Sequence, residues 1–241
     1  EIFQEGIRIP PLKLASAGRM DENIVAILRQ NVRLPDIFMG DINAQIAACT
    51  VGCRRLAELT DNYQAEYLLE VFKTLLDRSE MMTREVLRRI PSGRYHYTDY
   101  LDNDGVVLDE LVQISVTATV DDGAISFDFD QTSAQVKGPF NCVPSGSLSA
   151  ACFAVRVLTG SDIPTNGGCF RPIHLELPKG SIVNPTEPAP VNARTSTIKR
   201  ITSCMVSAFQ EVMPDKVTAD SASEMLILQF GGRHPHGQNF V

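Results

Sequence analysis

The chain has 241 residues, 44% of them hydrophobic and 21% charged, the proportions of an ordinary globular protein with apolar mass for a sizeable core. Lys and Arg number 22 against 29 Asp and Glu, a formal charge of -7, and no basic run concentrates positive potential as a phosphate backbone requires, which argues against nucleic acid as a partner. No apolar stretch approaches the ~20 residues that span a bilayer, and Glu1-Ile2-Phe3-Gln4 lacks the basic and apolar regions of a secretory leader, so no membrane partner is expected and the expected location is the cytoplasm.

Taken in order, the segment from Glu5 to Leu14 is extended by Pro10 and Pro11, and Asp21 is the N-cap of a short helix running through Asn31, with Ile24, Ile27 and Leu28 on one face. After Pro35 a helical period through Ile42, Ile46, Val51, Leu56 and Leu59 is expected to end near Thr60-Asp61. A second long helix follows, with Tyr67, Leu68, Val71, Phe72, Leu75 and Leu76 as its stripe and Met82, Val86 and Ile90 extending it to Pro91; two such helices suggest antiparallel packing. The period then changes to two. Turns at Asn103-Asp104-Gly105 and Asp121-Asp122-Gly123 separate strands around Arg94–Tyr100, Leu111–Val120 and Ala124–Asp130, an antiparallel meander. A helix over about Ser147–Leu158, short strands at Pro172–Leu177 and Ser181–Val183, a helix over about Thr195–Met213 and a strand at Glu224–Phe230 complete the pattern. The fold class is therefore α+β, with long helices, then a meander, then a mixed region. The expected organisation is one domain over residues 1–241, mainly helical to residue 90 and mixed from 91 on.

Cys49, Cys53, Cys142, Cys152, Cys169 and Cys204 lie among apolar neighbours without Cys-x-x-Cys spacing, which fits reduced thiols better than a disulfide framework or zinc site. The sequence contains no phosphate-binding loop, dinucleotide fingerprint, zincin helix or nucleophile elbow, so any ATP chemistry belongs elsewhere. Of the four histidines only His234-Pro235-His236 places two together, a group that turn chemistry also explains; no metal ligands are assigned in this chain.

Three constellations can carry chemistry. In Ile125–Asp130 the apolar residues alternate with Ser126, Asp128 and Asp130, so the two carboxylates share a face about 6 to 7 Å apart. That spacing suits a general acid and base with water between them; the same alternation also describes a solvated strand face. The second is a pair of helix starts rich in hydroxyls. Ser145-Gly146-Ser147 opens one and Asn192-Ala193-Arg194-Thr195 the other, where free N–H groups and the helix dipole favour an anion and Arg194 adds a clamp for phosphate or carboxylate. Capping by Ser and Thr is the competing reading. Asn141, in the turn Gly138-Pro139-Phe140-Asn141, is the remaining substrate-side candidate, whereas Asp41 and Gln45 at helical spacing are read as structural.

Several segments, taken in order, resemble the hydantoinase B/oxoprolinase family. Glu5-Gly6-Ile7-Arg8-Ile9-Pro10-Pro11, Gly40-Asp41-Ile42-Asn43-Ala44-Gln45, Ile90-Pro91-Ser92-Gly93-Arg94-Tyr95, Phe170-Arg171-Pro172-Ile173, Pro178-Lys179-Gly180-Ser181 and Pro190-Val191-Asn192-Ala193-Arg194-Thr195 stand in its order and spacing, and the likeness covers essentially the whole chain. The resemblance implies the B subunit of an ATP-dependent enzyme that opens a hydantoin-like cyclic amide, working in a hetero-oligomer with a hydantoinase A-type ATPase subunit; in the acetone carboxylase branch the outcome is carboxylation. A different class of reading makes the region a scaffold and subunit interface. The family's histidine- and aspartate-rich metal site is implied to lie upstream of Glu5, so this piece, which starts without methionine and stops at Phe240-Val241, is expected to be an interior part that binds no cofactor itself. A divalent metal in the intact subunit and ATP on the partner are what the family implies. Gln131 departs from the family's usual glycine before Thr-Ser, and the Pro190–Thr195 segment looks more like the hydantoinase branch.

Overall fold

The computed structural model describes residues 9–160, 162–222, 230–233, 237 and 239–240. The chain divides into two compact units, Glu1–Asp77 and Arg78–Val241, with the boundary inside a long helix. The strand expected over Glu224–Phe230, apart from Phe230 itself, and the His234-Pro235-His236 group lie outside the described residues.

In the first unit β1 (Ala15–Ser16) and β2 (Arg19–Met20) form a two-residue hairpin whose turn, Ala17 and Gly18, has φ of 49° and 76°. The Asp21 carboxylate then accepts the N–H groups of Asn23 and Ile24 and starts α1 (Glu22–Asn31), the cap the sequence specifies. Pro35 occupies the first turn of α2 (Pro35–Tyr63), where its missing N–H costs nothing. The helix packs on α1 and is tied to it by an exposed Arg29–Asp36 pair at 2.6 Å. It ends at Gln64, which takes φ 64° and donates its N–H to Thr60 O before α3 (Ala65–Leu87) begins. The stripe that helical spacing assigns to helix packing is open to solvent at Leu56, Leu59, Tyr67, Phe72 and Leu75.

The second unit is built on a four-stranded sheet in the order β3-β4-β5-β6: β3 (Gly93–Leu101), β4 (Val112–Asp121), β5 (Ala124–Asp128) and β6 (Ile173–Glu176). The first three are the expected antiparallel meander. Strand β6 lies parallel to β5, a pairing that needs a crossover, and α4 (Pro144–Thr159) supplies it. Pro144 fits the first turn, which is why α4 starts three residues before the expected Ser147. The pleat sends Ile114, Val116, Ala118, Val120, Ile125, Phe127 and Phe129 to one face, where they pack with α4 and α5 (Arg194–Ser207). Each large side chain buried there contributes about 1.5–3 kcal/mol. Helix α5 stops at Ser207 rather than Met213, and the remaining residues turn with Phe209 fully buried. Ser181–Val183 makes bridges to Ala134 and Asn184 in place of a strand. The α+β class stands.

Candidate functional site

The sheet has a covered face and an open one, and the candidate residues are divided between them. Asp128 alternates with Phe127 and Phe129 and so projects on the open face, beside Thr117 of β4 and Glu176 of β6. With Asp130, Arg94, Ser115 and Thr117 it lines a hollow of about 110 Å³. Asp128 Oδ1 accepts the Asp130 N–H at 2.9 Å, a local turn that ends β5 two residues earlier than the alternation suggests. Beyond it, side chains take over the ladder to β4. Thr132 Oγ1 accepts the Ser115 N–H at 3.1 Å and donates to Ser115 O at 2.9 Å, and Ser133 Oγ accepts the Gln113 N–H at 2.9 Å. The hydroxyls of this strand-end motif therefore close backbone, independently of the departure at Gln131.

On the helix-covered side a cavity of about 440 Å³ lies at the start of α5, between Tyr100 and Asn103 at the end of β3, Phe140, and Asn192, Thr195 and Ser196. Two loops are welded to form its edge. The buried Asn141 accepts the Val136 N–H at 2.9 Å and donates to Val136 O, Gly138 O and Pro190 O at 2.8, 3.2 and 3.0 Å, while the Ala193 N–H donates to Pro139 O at 2.9 Å. Thr197 Oγ1 donates to Phe140 O in the same seam. Asn141 thus spends its amide within the chain. Ser147 is buried and donates to Val183 O at 2.9 Å, and Ser145 is exposed in the first turn of α4. Arg194, exposed at the first residue of α5, donates to Val191 O at 3.1 Å. Neither Val143 nor Ala193 caps its helix through a side chain, and at the start of α5 the Arg194 and Ser196 N–H groups donate to Val191 O and Ala193 O at 3.2 and 3.1 Å.

The structure brings Thr195 to the cavity with Arg194 beside it, and leaves Asp128 and Asp130 on the opposite face of the sheet; it does not gather them into one cleft. What sequence reasoning missed is the charge network behind the cavity. Arg200 Nη1 binds Asp99 on β3 and Asp220, the latter at 2.7 Å, and Arg200 also lines the cavity. Asp99 was detectable: it occupies a core-facing position between Tyr97 and Leu101, where a carboxylate needs a buried partner. Burial alone would raise the Asp220 carboxyl, but hydrogen bonds from Ser203 and the Ser221 N–H, together with the Arg200 charge, hold it below the ordinary value. The neighbouring Cys204 thiol is pushed up to about 12 by burial and by the Asp99 charge. A buried carboxylate, Asp104, accepts the N–H groups of Val106, Val107 and Gly138 at 2.8, 2.6 and 3.0 Å and holds the loop before β4 to Gly138.

Among the described residues no three His, Cys, Asp or Glu side chains are grouped as metal ligands, so these residues do not fit the divalent ion that the family resemblance implies. No helix among them is long and apolar enough to cross a membrane.

A family model described as Hydantoinase B/oxoprolinase matches residues 1–241. The chain is 32% identical over 242 residues to caprolactamase subunit beta of Pseudomonas jessenii, covering 99% of this chain and 41% of that relative. The crystal structure of ATP-dependent caprolactamase from the same organism superposes with a TM-score of 0.83 at 31% identity, covering 90% of this chain and 37% of that one. The 5-oxoprolinase 1 of Arabidopsis thaliana is 29% identical over 236 residues, covering 87% of this chain and 18% of the relative. A nucleotide-free acetone carboxylase structure shares the fold, with a TM-score of 0.72 at 17% identity over 84% of this chain and 28% of that one. The chain spans about two fifths, 41%, of the length of the first curated relatives it matches.

Proposed function

The chain belongs to the hydantoinase B/oxoprolinase family, and from that premise we propose that it is part of the B subunit of an ATP-dependent amidohydrolase that opens a hydantoin-like cyclic amide with an ATPase partner subunit. The observation that carries the reading is the α5 cavity in a chain so similar to an ATP-dependent lactam-cleaving enzyme. At about 440 Å³ it is within the range of small-molecule sites, and it has two kinds of wall. Tyr100, Leu101 and Phe140 offer apolar surface for ring methylenes. Asn192, Thr195 and Ser196 line the polar edge at the positive end of α5, where the amide oxygen gathers negative charge as the ring is activated. Arg194 at the first residue of α5 supplies a cation for a phosphoryl or carboxylate group delivered from the partner. ATP is consumed on that partner. The six unpaired thiols fit a reducing compartment, and we assign the cytoplasm.

The experiment uses the full-length subunit with its ATPase partner, assayed with ATP on lactams and hydantoins. Thr195→Ala and Arg194→Ala are expected to lower kcat/KM by about 10- to 100-fold, as loss of one hydrogen bond to a charged group predicts. Unchanged values would leave only a role in starting α5. Carboxylation of a ketone with bicarbonate, with lactams and hydantoins inert, would replace the hydrolase reading by the carboxylase one.

A second reading keeps Asp128 and Asp130 as general acid and base, favoured by their shared hollow with Arg94. Asp128→Asn and Asp130→Asn then abolish turnover while KM is kept. A third assigns residues 1–77 to docking of the partner, favoured by exposed Leu56, Leu59, Tyr63, Tyr67 and Phe72. Replacing Tyr67 and Phe72 with Ser would then weaken co-purification of the two subunits.

A further inference from the structure

Three stretches far apart in sequence form walls of the α5 cavity: the end of β3 at Tyr100–Asn103, the start of α5, and the segment reaching Ala222. A single side chain joins them. Arg200 grows from α5 and lines the cavity, its Nη1 holds Asp99 on β3 and Asp220, and its Nη2 lies 3.5 Å from both Ser221 O and Ala222 O. We propose that Arg200 is the positioning residue of this cavity, fixing residues 220–222 as the wall against which a cyclic-amide substrate is seated; the inference rests on the substrate-side reading given above.

The argument is one of placement against pairing. The Arg200 side chain is 12% exposed, so its charge needs compensation, and Asp99 and Asp220 supply it. An arginine fork satisfies a carboxylate best through two parallel N–H bonds. Here both carboxylates converge on Nη1, Nη2 makes only long contacts with carbonyls, and Nε is buried with no hydrogen-bond partner among the described residues. A guanidinium selected only to neutralise two acids would use its fork in full. This one stands where it spans helix, strand and the 220–222 segment, and gives up a donor to do so. Asp99 contributes the fixed end, since its strand is hydrogen-bonded to β4 from Gly93 to Leu101. Asp220 contributes the held end: its carboxylate also accepts a hydrogen bond from Ser203 of α5 and the Ser221 N–H at 2.8 Å, which stiffen the segment beside the cavity.

The test uses the full-length subunit with its ATPase partner. Asp220→Asn releases the held end and leaves Arg200 on Asp99; Arg200→Lys keeps a cation and loses the fork; Arg200→Met removes both. Hydrogen exchange of the amides at 218–222 and steady-state kinetics on a lactam are read for each. Asp220→Asn and Arg200→Met are expected to speed exchange at 218–222 and raise KM about tenfold, with kcat within a factor of about two and Arg200→Lys in between. Exchange unchanged in Asp220→Asn overturns the latch. Faster exchange with KM unmoved overturns the placement of substrate against it, and a fall in kcat at constant KM overturns positioning in favour of a part in the chemistry. A wild-type complex inert toward lactams and hydantoins instead sinks the functional reading, and the exchange measurements then decide the latch alone.

Discussion

Replacing Asp104 by asparagine keeps size and shape and removes one acceptor oxygen, which isolates the contribution of a buried carboxylate to the loop behind the cavity. The side chain is 4% exposed; Oδ1 accepts from Val106 and Val107 at 2.8 and 2.6 Å and Oδ2 from Gly138 at 3.0 Å. In the better orientation the amide oxygen keeps the first two bonds and the NH2 group faces the Gly138 N–H, donor against donor. Loss of one hydrogen bond to a charged group at about 1.5–3 kcal/mol, plus about 1–3 kcal/mol for the stranded donor, gives roughly 3–5 kcal/mol. The assay is urea unfolding of wild type and variant from pH 7 to 3. Burial alone would raise the Asp104 carboxyl, but the N–H groups of Val107, Val106, Gly138 and Lys137 reverse this and hold it below its ordinary value. The unfolded chain therefore binds this proton at a higher pH than the folded one. The stabilisation is complete above the unfolded value of about 3.9 and is lost as the pH falls through the lower folded value, so the two stability curves converge in acid. A gap below about 1 kcal/mol at pH 7, or one that stays constant from pH 6 to 3, would refute the reasoning.

Gly138→Ala is expected to be at least as costly, because a Cβ there would stand 1.5 Å from the backbone oxygen of Asp104 and the loop must move off its anchor; a melting-temperature loss smaller than that of Gly123→Ala, whose Cβ would meet Arg84 O at 2.7 Å, would contradict it. Thr132→Val removes both bonds to the Ser115 backbone and is expected to destabilise by about 2 kcal/mol, measured by urea unfolding, with the unpaired Ser115 groups as the main cost. Under thiol labelling at pH 8 the exposed Cys49 and Cys53 should react at once and Cys204, pushed up to about 12 and fully buried, only as fast as the chain unfolds; mass spectrometry of quenched samples separates the sites.

The order of elements was legible because each rests on local chemistry: Asp21 as a cap, Pro35 at a helix start, the period-two run of β4 between two turns; Pro144, which starts α4, was passed over for Ser147. Pattern also identified the inward face of β5 and, by resemblance of short motifs in order, the family to which the whole chain belongs. Thr195 could be named as a candidate because a hydroxyl at a helix start has two common uses, capping or holding an anion, and the fold brings it to the cavity. What the other candidates touch was not legible in the same way. Asn141 sits in a turn that invites a ligand, yet its amide faces three carbonyls from two loops, one of them 49 residues away. Asp128 and Arg194 could be joined in one cleft only by ignoring that alternation fixes the face of a strand but not which face the next helix will cover. Local sequence determined caps, turns and periodicity because those interactions close within a few residues. Tertiary structure alone decided that β6 would lie parallel beside β5, that the two carboxylates would face away from α5, and that Arg200 would meet Asp99 and Asp220 across 101 and 20 residues of chain, because buried charges choose partners by distance in space.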